Sequence, residues 1–145
     1  MAEAFARQFG SDCVNAASAG LACGQSVARQ TIEVMRERGI EMTDQFPKDY
    51  EAGLAEQYDL VVNISGFELP PLQRPQLVEW MVQDPLGEQQ QVHRRVRDEI
   101  ERRVKKLIED IRRGTPVAGD LAVGQRIAPN PSRRPGLWRR FTRLL

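Results

Sequence analysis

Few residues of this chain carry reactive groups in a suggestive arrangement, and each has a plain structural alternative. Cys23-Gly24-Gln25-Ser26-Val27-Ala28-Arg29 is a Cys-x5-Arg run, placed after a short strand-like segment and before a helix. A loop of that kind can cradle a tetrahedral dianion with backbone N–H groups, while a thiolate attacks and a guanidinium holds the oxygens. Two cysteines among 18 arginines give such a match by chance roughly one time in four, so the spacing alone is weak. Asp84-Pro85 sets a carboxylate at a turn ahead of the long helix, where it serves either as a simple turn former or as an acid. Ser18 stands at the end of a small-residue segment. His93, the only histidine, lies among charged neighbours and reads as a solvated surface group.

The elements that position these residues follow from periodicity. Residues 1–9 pattern as a helix, with Phe5 and Phe9 one turn apart and Ala2 and Ala6 beside them. A short strand is expected over Cys13–Ala19, and a helix over 27–38 closed by Gly39. A brief helix follows at 49–56. Tyr58–Ile64 is continuous and β-branched, as a strand buried on both faces would be. Leu77–Met81 forms another strand. Residues 88–113 form a long helix whose apolar stripe includes Val92, Val96, Ile100, Val104, Leu107, Ile108 and Ile111. Gly114 and Pro116 end it. Strands alternating with helices predict an α/β fold, a parallel sheet with helices on both faces.

Composition limits the alternatives. The chain has 145 residues, 41% hydrophobic and 28% charged, which suits one globular domain. No apolar run is long enough to span a bilayer, and no signal-peptide pattern opens the chain. Cys13 and Cys23 are too few for a disulfide framework, so a reduced, cytoplasmic setting is expected. Residues 1–113 carry 15 basic and 19 acidic side chains, whereas residues 114–145 carry six arginines and only Asp120. The expected organisation is a domain over 1–113, a Gly/Pro-rich linker over 114–136 and a basic amphipathic tail over 137–145.

Several motifs occur in a familiar order: Met1-Ala2-Glu3-Ala4, Ser18-Ala19-Gly20, Tyr58-Asp59-Leu60-Val61-Val62, Asp84-Pro85 and Val96-Arg97-Asp98-Glu99-Ile100. Together they resemble the low-molecular-weight protein tyrosine phosphatase and arsenate reductase family over roughly residues 1–113. The resemblance implies a three-layer α/β fold and a phosphorylated substrate or oxyanion as partner, with no cofactor and no metal. It places Asp84 at the family's catalytic general acid and Ser18 at the serine that supports the phosphate loop. In the family that loop, a Cys-x5-Arg between a first strand and a first helix, directly precedes the helix matching residues 1–9. Here Cys23–Arg29 corresponds instead to the loop after the next strand, and Gln30 stands where Ser or Thr is expected. The nucleophile loop and first strand are thus absent from residues 1–145. Three expectations follow: a shortened reading of a working enzyme, a non-catalytic relative, or an adaptor acting through its tail.

The two branches of the family differ in the loop after the strand matching 58–64, where thioredoxin-coupled reductases carry relay cysteines. Here that loop, Ser65–Leu72, has none, which favours a phosphatase with an arsenate reductase as the alternative. The tail places Leu137, Phe141 and Leu144 on one helical face amid arginines, fitting an anionic membrane or an acidic partner. A nucleic-acid partner is not expected, since the remainder is acidic. Without a central first strand, two rows of backbone groups would lie unpaired. The chain is therefore expected to be marginally stable, or to close the gap by shifting or by forming a homodimer.

Overall fold

The computed structural model describes residues 1–22, 24–73 and 75–120, together with the backbone of 139–144. Its elements run α1 (Ala2–Phe9), β1 (Asn15–Gly20), α2 (Arg29–Arg36), α3 (Ala52–Ala55), β2 (Leu60–Asn63), β3 (Gln76–Glu79), α4 (Gln90–Arg113) and β4 (Arg139–Leu144). Every helix and strand expected within residues 1–113 is present, with ends moved by a few residues.

The sheet has the order β1-β4-β2-β3. β2 and β3 are parallel, Leu60 opposite Gln76 and Asn63 opposite Glu79. β4 runs antiparallel to both its neighbours, so β1 and β2 point the same way. Alternation along the strands covers both faces. Leu60, Val62 and Val78 join the main core with Phe5, Met35, Val96, Ile100 and Ile108. Val61 turns the other way, to Ala55 and Leu69, with Leu77 packed alongside. This is the three-layer α/β arrangement expected from the sequence.

The expected gap in the sheet is closed in a way that the sequence did not suggest. β4 occupies the slot between β1 and β2, with Asn15 opposite Leu144, Gly20 opposite Arg139 and Leu60 opposite Arg143. The tail segment expected as a helical face is extended here because extension lets one strand satisfy the backbone groups of two. Of the expected linker, residues 121–136 lie outside the described residues, while residues 114–120 pack on the domain. Asp120 donates its N–H to the Glu79 carbonyl (2.8 Å), and its carboxylate accepts from Met81 N (2.7 Å) and from Arg103. Residues 114–120 therefore belong to the domain.

Helix α4 is the spine. Gly10, just past α1, lies so close to it that a Cβ there would fall 2.5 Å from Ile108 Cδ1. α2 is fixed to α4 by Arg97, which is almost fully buried. Its Nη1 donates to the Val34 carbonyl (2.9 Å) and to Glu37 Oε2 (2.8 Å), and its Nε donates to Asp98 (2.8 Å). The amide of Arg38, which would take the Val34 carbonyl in a continuing helix, bonds to Met35 instead. Arg97 thus caps the C-terminal end of α2 from a neighbouring helix. Among the described residues, no helix is long and apolar enough to cross a membrane.

Candidate functional site

A cavity of about 70 Å³ opens where the heads of three helices converge. Space of that size holds several waters or a small ion. Met1 and Ala2 bring the head of α1 to it, and Ala28 and Thr31 bring the first turn of α2. Asp84 and His93 close it from the α4 side. Neither α1 nor α2 has a side-chain cap, Met1 and Ala28 being their N-cap residues. The unpaired N–H groups of a helix's first turn carry partial positive charge, so the heads of both helices favour an anion.

Asp84 is half-buried at the rim. Its Oδ1 accepts the Leu86 N–H at 2.8 Å, forming the turn that leads into α4. Asp84 is thus a turn former, and the same turn sets its carboxylate on the cavity wall. Ser18 is buried on β1 but does not line the cavity. Its hydroxyl donates to Glu3, a carboxylate buried inside α1 that also pairs with Arg7 (2.5 Å) and Lys48 (3.6 Å). In this arrangement Ser18 ties β1 to α1.

His93 overturns the expectation of a solvated histidine. It is 2% exposed and faces the cavity, with neither ring nitrogen in a well-formed hydrogen bond. Burial pushes its pKa down, against the opposing pull of the nearby Pro85 carbonyl and of the Asp84 and Glu88 carboxylates. The clue was in the spacing. His93 lies three and seven residues before Val96 and Ile100, on the buried face of α4. Charged sequence neighbours at 94 and 95 point elsewhere on a helix, so they say nothing about its exposure.

The Cys-x5-Arg run is described only over residues 24–29. Cys23 lies outside them. The Arg29 side chain is 90% exposed and pairs with Glu33 (2.7 Å), so it projects to solvent and not over the cavity. Cys13 sits near Asp12, beyond the far end of α1. No group of three or more His, Cys, Asp or Glu among the described residues is placed to hold a metal ion.

The α/β sheet carries a cavity at its helix heads with an aspartate on the wall. The chain belongs to the low molecular weight phosphotyrosine protein phosphatase family, whose model matches residues 1–117. Its curated relatives are more particular. It is 35% identical over 113 residues to arsenate reductase 1 of Bacillus cereus, covering 75% of this chain and 84% of the relative. It is 34% identical over 115 residues to a glutaredoxin arsenate reductase of Synechocystis, covering 77% and 87%. Among solved structures, an arsenate reductase in a phosphate-binding state matches with a TM-score of 0.69 and 32% identity, covering 76% of this chain and 86% of that one. An arsenate reductase in an oxidised state matches at 0.65 and 31%. These relatives favour the reductase alternative over the phosphatase preferred from the cysteine-free loop. One loop samples a single functional difference, whereas identity across the whole domain samples its lineage.

Proposed function

We propose that this chain is an arsenate-reductase-type domain whose cavity seats a tetrahedral oxyanion, arsenate or phosphate. The observation that carries this reading is the convergence of the uncapped heads of α1 and α2 with Asp84 on one small cavity. The two helix heads offer oriented N–H groups to oxyanion oxygens. Asp84, anchored through Leu86, stands where it can hold or deliver a proton to an oxygen at the cavity mouth. Covalent chemistry on the oxyanion needs a thiolate beside it, and no cysteine among the described residues lines the cavity. Binding is therefore the function for which residues 1–120 supply the parts. The absence of cysteines from Ser65–Leu72 supports a second reading, phosphomonoester hydrolysis at the same cavity.

The test is calorimetric titration of the whole chain with arsenate and phosphate, followed by two assays: arsenate reduction with glutathione and glutaredoxin, and hydrolysis of para-nitrophenyl phosphate. Saturable arsenate binding weakened by Thr31→Glu, which brings a carboxylate into the cavity, is the expected outcome. Failure of both anions to bind at millimolar concentration would refute the oxyanion reading. Hydrolysis without arsenate reduction would move the chain to the phosphatase branch.

A further inference from the structure

The oxyanion reading leaves His93 unexplained. A histidine buried to 2% with no well-formed hydrogen bond at either nitrogen is costly to keep. An apolar residue would suit the surrounding stripe of Val96 and Ile100 better. The imidazole does, however, face the cavity, opposite the uncapped heads of α1 and α2. We propose that His93 is a specificity-determining wall of this cavity, donating an N–H to a bound tetrahedral dianion and taking up one proton as that dianion enters. The proposal rests on the oxyanion reading and adds a pH-dependent gate to it.

The surroundings of His93 set the sign. On the α4 side and the turn before it, the charged groups facing it are the Asp84 and Glu88 carboxylates. The cavity it shares is lined from α1 by Met1 and Ala2, from α2 by Thr31 and the N-cap Ala28, from the end of β1 by Gly20 and just past β2 by Ile64. None of these side chains titrates between pH 5 and 8. Burial disfavours the charged ring when the cavity holds no anion. A dianion placed against the ring reverses that balance: it adds a close opposite charge and an acceptor, both of which favour imidazolium. Binding is then linked to protonation, and affinity rises as pH falls towards 6. A neutral oxyacid or a monoanion gains less, so the cavity discriminates by charge state.

Because His93 is the only histidine, its imidazole resonances need no assignment. Sulfate is the probe, a tetrahedral dianion that does not itself titrate between pH 5 and 8. The whole chain is titrated with sulfate by calorimetry in two buffers of different ionisation enthalpy, while the imidazole is followed by NMR. The expected result is proton uptake on binding, an upward move of the imidazole titration with saturating sulfate, and weaker binding as pH rises from 6 to 8. His93→Phe should lose the uptake and bind sulfate about tenfold or more weakly at pH 6. His93→Gln, a neutral donor, should recover part of the affinity without the pH dependence. If wild type and His93→Phe bind sulfate equally, with the same pH profile, the proposal is wrong while the oxyanion reading stands. If neither sulfate, phosphate nor arsenate binds wild type at any pH, both fall together.

Discussion

Replacing His93 by phenylalanine should make the protein more stable, and the gain should grow as pH falls. A neutral imidazole offers one N–H and one bare nitrogen. At 2% exposure, with no well-formed bond at either, each unsatisfied group costs about 1–3 kcal/mol. The Pro85 carbonyl beside the ring offsets part of the donor's share. Phenylalanine brings no polar atoms, and the adjoining cavity gives its larger ring room. A net gain of about 1 kcal/mol at pH 7.5 is expected, or about 0.5 M in urea midpoint for a domain of this size. The pH term adds to this. Burial holds the folded pKa of His93 below the ordinary 6.5, so the unfolded chain binds the proton more readily. The stability it permits is complete above 6.5 and lost as pH falls through and below that value. Between pH 7.5 and 5.5 the wild type should lose up to about 1.3 kcal/mol that His93→Phe keeps. The paired carboxylates Asp12, Glu37, Asp98 and Asp120 are all held below their usual range, so their own losses come at lower pH. Urea unfolding of both proteins at the two pH values is the assay. A variant that is less stable than wild type, or one that keeps the wild-type pH slope, would show that His93 is hydrogen-bonded in solution and would refute the reasoning.

Other perturbations probe the scaffold. Arg97→Met removes the cap on α2 and leaves the Val34 carbonyl without its partner; a loss of about 2 kcal/mol in urea unfolding at pH 7 is expected. The same contact network holds the Glu37 carboxyl at about 2, mainly through Arg94, so the contribution of Glu37 is present above 4.5 and lost as pH falls towards 2. Deleting residues 139–145 strips β4 from between β1 and β2, and should broaden the unfolding transition or raise the oligomeric state relative to the full chain, measured by circular dichroism and light scattering. An unchanged urea midpoint after that deletion would mean that β4 adds nothing to the sheet.

Much of this protein is determined by local pattern. Phe5 and Phe9 one turn apart, the β-branched run Leu60-Val61-Val62 and the stripe from Val92 to Ile111 each specify an element whatever surrounds it, because side-chain period and backbone geometry are linked within a few residues. The ordered motifs were enough to place the chain in its family. Their structural roles were not readable. Arg97 in the Val96–Ile100 motif caps a different helix, and Ser18 holds Glu3, since both partners come from parts of the chain far away in sequence. The fate of the tail was likewise beyond sequence. Arginines and apolar residues at helical spacing gave way to an extended strand, because two rows of backbone groups some eighty to a hundred and thirty residues upstream needed a partner. His93 shows the division most clearly. Sequence recorded one histidine among charges; only tertiary packing turned its side of α4 inward, took away its water and set it against the heads of two other helices. Burial and convergence are properties of three dimensions, and they make an ordinary side chain the most informative group in the cavity.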